Sequence, residues 1–385
     1  MLIQCTKKVL DRMHLDSNTA ALKQNASDDF FCWHANIITA ERKKVLVFVN
    51  NSTRLAVICY RPKPSVYKKP GEYLTVGIQN LFSTLGVRPE MIKQYLQKAG
   101  EAQFTSSGTR SQIARMNKIA EEVLWHSTFF REDQELQTGV SVELADIPVS
   151  ENKGYMIPQQ KLYEELCRMT GLPADAKSLD QVRSCKSLVL RITLDLEKYK
   201  IYRVIEAPAY AKFYRLHEAI QKTFGWFDYH LHNFTFYENE VVSGKHRMYY
   251  GMRRQLVITD YENPEAQDYF EPEDQKLYSD RQLMLCDVFE SRNSCVYSYD
   301  FGDDWEHVIT VEHRKEKGGS TRFVLLEKEG ERPPEDVGGE GGYEEFMRII
   351  NNPENPEYES MKLWAEGTSA KPETIEEINK KLRWL

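Results

Sequence analysis

The stretch Leu188-Val189-Leu190-Arg191-Ile192-Thr193-Leu194-Asp195-Leu196 places Leu188, Leu190, Ile192, Leu194 and Leu196 in strict alternation with Val189, Arg191, Thr193 and Asp195. Successive side chains of a strand point to opposite faces, so this alternation predicts a half-buried β-strand. Downstream, Phe213, Leu216, Ile220 and Phe224 recur at helical spacing, and Gly225 ends the run as a C-cap. Strands are predicted at 232–238, 247–252, 295–300, 306–313 and 323–329, with a helix near 281–289 and three short helices at 343–350, 357–366 and 372–382. This order predicts an α+β domain over residues 184–385: a mainly antiparallel sheet with packed helices and a C-terminal helical cluster.

Upstream, residues 1–130 read as a second α+β domain. Strands are predicted at 2–5, 33–39, 45–50, 54–60 and 102–105, and helices around 7–13 and at 73–85, 89–99 and 111–126. In the third strand Val45, Val47 and Val49 share one face and Leu46, Phe48 and Asn50 the other, so both sides are expected to be buried. Between the domains, residues 131–183 turn rich in Asp, Glu, Ser and Gly around one helical island at 158–170, the pattern of a linker carrying a docking helix.

A chain of 385 residues exceeds the usual size of a single hydrophobic core, which agrees with two domains. No run approaches the roughly 18 apolar residues of a membrane span. The opening Met-Leu-Ile-Gln-Cys-Thr-Lys-Lys lacks the apolar core of a signal peptide, and the expectation is a cytoplasmic protein with no membrane contact. Seven scattered cysteines, none in a Cys-x-x-Cys pair, read as reduced thiols. Residues 1–130 carry 18 Lys and Arg against 10 Asp and Glu, a net +8, which leaves −15 for the remainder of a chain whose total is −7. A basic first half is what a nucleic acid or an acidic protein partner would meet, although its densest spots are only Arg42-Lys43-Lys44 and Lys68-Lys69.

Three segments of the second domain stand out. The first runs from Tyr214-Arg215-Leu216-His217-Glu218-Ala219-Ile220-Gln221 through Phe224-Gly225-Trp226 to Tyr229-His230-Leu231-His232-Asn233-Phe234. The second is Tyr297-Ser298-Tyr299-Asp300-Phe301-Gly302-Asp303-Asp304-Trp305-Glu306-His307, and the third Pro333-Pro334-Glu335-Asp336-Val337-Gly338-Gly339 followed by Gly342-Tyr343. In this order they resemble the plasmid pRiA4b ORF-3-like family, whose members also bear a passenger, resolvase-like label from insertion elements. The resemblance implies a fold, a set of unusual polar residues and a link to mobile elements. No serine-recombinase chemistry accompanies it. Val337 stands where such proteins often have Cys, and Glu340 where Pro tends to follow the Gly-Gly pair, so no thiol role is carried over to that loop. The first domain resembles a separate small bacterial domain of unknown function through Leu2-Ile3-Gln4-Cys5-Thr6-Lys7-Lys8, Trp33-His34-Ala35-Asn36 and Arg115-Met116-Asn117.

From these segments the candidate pocket is His217, Trp226, His230, His232, Tyr299, Asp300, Gly302, Asp303, Trp305, His307, Glu335 and Asp336. His230 and His232 share a strand face, and with His307 they form a candidate ligand set for a divalent metal. Gly302 is expected to supply a positive φ in a tight turn, with Asp303 binding the turn amides. The same residues have a plain structural reading as core aromatics and loop acceptors. Gly-x-Ser-x-Gly and phosphate-loop patterns are missing from the sequence. Two functions follow: a non-catalytic binding or accessory module with a pocket for peptide or nucleic acid, or a metal-dependent hydrolase or nuclease using His230, His232, Asp300, Asp303, His307, Glu335 and Asp336.

Overall fold

The computed structural model describes residues 1–14, 28–106, 110–151, 154–242, 244–260, 263, 266, 275–316, 318–369, 372–383 and 385. The chain divides into two compact units, Met1–Ser184 and Cys185–Leu385. Among the described residues no helix is long and apolar enough to cross a membrane.

The first unit is built on a five-stranded sheet in the order β4-β3-β2-β1-β5. Its strands are β1 (Leu2–Cys5), β2 (Cys32–Ala40), β3 (Lys43–Asn50), β4 (Ala56–Tyr60) and β5 (Gln103–Ser106). β1 pairs in parallel with β2 and β5, while β2, β3 and β4 form an antiparallel meander; β6 (Val149–Glu151) and β7 (Gly154–Met156) make a separate antiparallel pair. The helices are α1 (Lys7–Met13), α2 (Pro64–Lys68), α3 (Pro70–Thr84), α4 (Pro89–Ala99), α5 (Arg110–Trp125), α6 (Thr138–Asp146), α7 (Pro158–Thr170) and α8 (Ala176–Val182). Every residue of β3 from Val45 to Asn50 is buried, as two-sided packing requires, and Val45, Val47 and Val49 meet Met116, Ile119 and Val123 of α5. Residues 131–184 fall within this unit. α6 supplies Val140 and Leu144 to the same core; Gly139 and Ser141 dilute its apolar period and hide the helix from a periodicity search.

The second unit carries an eight-stranded sheet in the order β12-β11-β10-β13-β14-β8-β9-β15. These strands are β8 (Ser187–Leu194), β9 (Ile201–Pro208), β10 (His232–Tyr237), β11 (Arg254–Thr259), β12 (Lys276–Ser279), β13 (Ser294–Tyr299), β14 (Trp305–Lys315) and β15 (Val324–Glu329). All neighbours are antiparallel except β11 and β12. Leu188, Leu190, Ile192 and Leu194 of β8 enter the core while Arg191 and Thr193 are half-buried, as the alternation demands. α9 (Phe213–Phe224) lays Phe213, Leu216, Ile220 and Phe224 into the same core and ends at Gly225, whose φ of +81° needs a residue without Cβ. α10 (Leu285–Phe289), α11 (Gly339–Ile350), α12 (Tyr358–Thr368) and α13 (Ile375–Leu382) follow, the last three being the expected C-terminal helices.

The strand expected at 247–252 is instead a run of turns with Tyr249 buried inside it, and the pairing strand is β11. β9 has no counterpart in the sequence reading, because Arg203 and Glu206 break its apolar pattern. Both are nonetheless buried.

Arg203 and His307 are polar groups that this core meets largely from within, with Arg203 Nη2 left without a hydrogen bond at 3.9 Å from Glu331 Oε2. Arg203 is wholly buried; its Nε donates to Thr223 O at 2.7 Å and its Nη1 to the carbonyls of Tyr202, Glu329 and Gly330 at 2.8, 3.0 and 3.0 Å. It lies 4.6 Å over the Phe224 ring, whose neighbour at 4.9 Å is the His307 imidazole. His307 Nε2 accepts from Trp226 Nε1 at 3.3 Å, and Nδ1 donates to Trp305 O at 3.0 Å. Burial, with no carboxylate hydrogen-bonded to the ring, holds the His307 pKa down at about 3.

Two predictions follow from these groups. Arg203→Ala would leave several buried carbonyls unpaired and cost about 3 kcal/mol or more, read as a lower urea midpoint. Because the folded pKa of His307 lies below its unfolded value, its contribution to stability is present above pH 6.5 and lost as pH falls toward about 3. A His307→Gln chain should show a shallower fall in melting temperature across that window than the parent.

Candidate functional site

The antiparallel pairing of β10 with β13 brings the first two motif segments together. His232 stands opposite Tyr299, and the Asp300 amide donates to Leu231 O at 3.0 Å. His230, just before β10, therefore lies beside Asp300, just after β13. Asp300 adopts φ +58° and its Oδ1 accepts from the Gly302 and Asp303 amides at 2.9 and 3.3 Å. This corrects the sequence reading: Asp300 and Asp304 take the left-handed conformations, and Asp300 rather than Asp303 binds the turn amides. Gly302 serves by size, since a Cβ there would sit 3.2 Å from Asp300 Oδ1.

The third segment is fastened onto this turn. Gly338 N donates to Asp303 Oδ2 at 3.0 Å, and Gly339, at φ +67°, passes so near that a Cβ would lie 2.7 Å from Asp303 O. Glu335 is 1% exposed and its Oε1 accepts from the Phe227 amide at 2.8 Å. Burial pushes its carboxyl pKa up, against the opposing pull of that amide and of the Arg332 guanidinium.

These constraints deliver four groups to one point. His230 Nε2 lies 3.4 Å from Asp336 Oδ1, 3.6 Å from Asp300 Oδ2 and 3.9 Å from Glu335 Oε2. Both His230 Nε2 and Glu335 Oε2 are buried atoms with no hydrogen-bond partner. Two ligands at ~2.1 Å from a tetrahedral metal are about 3.4 Å apart, close to the separations found here. His230, Asp300 and Asp336 offer ligand atoms that all lie within 4.8 Å of one another. One imidazole with two or three carboxylates suits zinc, manganese or ferrous iron.

The group opens into a cavity of about 530 Å³ that also receives His217, His232, Asp228 and Asp280. The His217 and His232 rings stack at 3.6 Å and 9°. His217 Nε2 donates to Asp228 Oδ1 at 2.8 Å and its Nδ1 accepts from the Tyr297 hydroxyl at 2.8 Å, while His232 Nε2 lies 3.2 Å from Asp280 Oδ2. Burial first, and the neighbouring His232 second, lower the His217 pKa to about 4. The three histidines grouped from sequence as metal ligands thus part company. His230 joins the carboxylates, His232 joins Asp280, and His307 spends both nitrogens in the core. Trp226 and Trp305 are core residues too, whereas Tyr299 reaches Glu335 Oε1 with its hydroxyl at 3.5 Å. Asp228 and Asp280 escaped the sequence reading. Asp228 sits two residues before His230 and was within reach of it; Asp280 belongs to no motif and arrives only through the fold.

The comparisons with known proteins fit this division of the chain. Residues 186–378, half of the chain, match the family model described as plasmid pRiA4b ORF-3-like protein, and residues 2–161 match a domain of unknown function, DUF6933. The chain is 30% identical over 175 residues to uncharacterized protein y4hQ of Sinorhizobium fredii, an alignment covering 46% of this chain and 78% of that one. A crystal structure of the protein of unknown function MM3350 from Methanosarcina mazei Go1 shares 27% identity, with a TM-score of 0.39, over 50% of this chain and 97% of its own. With all three motif segments inside the matched region, the chain belongs to the plasmid pRiA4b ORF-3-like protein family.

Proposed function

We propose that this protein is a binding module whose C-terminal unit holds a divalent metal ion at His230, Asp300 and Asp336, with Glu335 behind them, and meets its ligand at the adjoining cavity. One observation carries the reading: the buried, unpartnered Oε2 of Glu335 and Nε2 of His230 face each other at 3.9 Å. Such a pair is costly unless something lies between them. A cation satisfies both atoms at once.

A second reading, a metal-dependent hydrolase or nuclease, has its own support. His232 with Asp280 and His217 with Asp228 are imidazole–carboxylate pairs on the wall of the same cavity, the arrangement that general base catalysis uses. We favour binding because His217 is held neutral and stacked, with both nitrogens engaged. The basic first unit is a proposed contact for nucleic acid or an acidic protein. The seven cysteines form no disulfide with one another, which supports a reducing, cytoplasmic setting.

The test is calorimetry of the purified full chain with zinc and with manganese. The parent should take up one ion per chain, and His230→Ala and Asp336→Asn should each weaken uptake at least tenfold with unchanged circular dichroism. Parent protein that binds neither ion would sink the metal site. Metal-dependent cleavage of a generic phosphodiester by the loaded parent would move the assignment to the second reading.

Glu335→Gln separates ligand from scaffold. It keeps an acceptor for the Phe227 amide but removes charge, so metal affinity should fall several-fold while the melting temperature holds or rises. A melting temperature that drops sharply would instead mark Glu335 as a scaffold group.

A further inference from the structure

The first unit holds a buried cation that has no ion-pair partner among the described residues. Arg54, in the loop between β3 and β4, is 8% exposed and takes φ +63°. No carboxylate among the described residues is ion-paired with it; Asp29 and Glu151 act on it only from a distance, and Arg115 of α5 acts against it as a like charge. A guanidinium taken this far out of water is expensive unless an acceptor meets it.

The neighbouring groups say what that acceptor is. Asn51 Nδ2 donates to Gln4 Oε1 at 2.9 Å, which turns Asn51 Oδ1 toward His34, and His34 Nδ1 donates to it at 2.6 Å. His34 Nε2 is then a bare lone pair; it is buried, in a residue 3% exposed, and has no partner. Arg54, His34, Arg115 and Asp29 line one open recess, whose space of about 10 Å³ admits a single oxygen atom. A ligand for this recess must offer negative oxygens to two arginines and a hydroxyl proton to an imidazole.

We infer that the first unit carries a phosphate-binding site, in which a protonated oxygen of a phosphate monoester or inorganic phosphate enters the recess and donates to His34 Nε2, while its other oxygens accept from Arg54 and Arg115. A phosphate in its singly protonated or doubly protonated form meets both demands. A carboxylate at neutral pH lacks the proton, and Asp29 in the lining disfavours a larger negative charge. This site is independent of the metal site in the second unit.

The experiment is titration of the full chain, in EDTA to silence the metal site, with inorganic phosphate and with acetate at pH 6 and pH 8. Inorganic phosphate should bind and raise the melting temperature at both pH values, since hydrogen phosphate keeps one proton at pH 8, whereas phenyl phosphate, titrated alongside and proton-free at pH 8, should bind at least fivefold more weakly there than at pH 6. Arg115→Ala, an exposed position, should weaken phosphate at least tenfold without loss of fold, and Arg54→Lys should weaken it further. Absence of phosphate binding by the parent, binding untouched by both substitutions, or acetate matching phosphate at both pH values would each overturn the assignment. For a parent that binds, the His34 Nε2 nitrogen resonance should move with phosphate; a resonance that stays still would remove His34 from the site.

Discussion

The hydrogen bond from the Phe227 amide to Glu335 Oε1, 2.8 Å long, ties together stretches 108 residues apart, and the cleft depends on it. With Oε1 committed, Oε2 is turned toward His230. Behind Glu335 lies Arg332, whose Nε and Nη2 both donate to Gly225 O and whose guanidinium rests 4.6 Å over Trp226 and 4.9 Å over Phe227. The carbonyl at the end of α9, the aromatic pair after it and the carboxylate of the cleft are thus one assembly. Its Arg332 guanidinium forms a long ion pair with Glu335, Nη2 to Oε1 at 4.0 Å, which offsets part of the cost of burying the carboxylate.

The second unit treats its buried polar groups in two ways. Arg203 and His307 have partners on nearly every side and lie in the sheet's core, where an unpaired group would destabilise the fold. His230 and Glu335 keep one unpartnered atom each at the edge of a cavity. The contrast matters because His307 and His230 are the same kind of residue in neighbouring motif segments. Placement, rather than residue type, separates scaffold from site: Arg203 Nη2 also lacks a hydrogen bond but belongs to a wholly buried residue of the core, whereas His230 lines the cavity.

Much of this was legible in advance. The alternation of 188–196, the face of α9 and the C-terminal helices are local patterns, and local patterns survive folding. β9 was not legible, because its Arg203 is met by carbonyls from two other stretches of chain, at Thr223 and at Glu329–Gly330. The turn at 300–304 was legible as a turn but not in its detail, since Gly302 invites a positive φ and Asp300 takes it instead. The candidate pocket was similarly divided. His230, Asp300, Glu335 and Asp336 converge, but nothing in their spacing tells His230 from His307. That distinction rests on which end of a strand each occupies and which face it turns.

Four aspartates of the second unit, Asp228, Asp300, Asp304 and Asp336, share the left-handed backbone conformation at φ between +55° and +60°. Asparagine or glycine would serve that backbone as well, and glycine with less strain. The conformation therefore accounts for short side chains at these places but not for their charge. Shape and charge are separable in this cleft: a chain could drift to an uncharged set of turns with its architecture intact. What the loops hold in addition is an electrostatic preference superimposed on a backbone that does not require it.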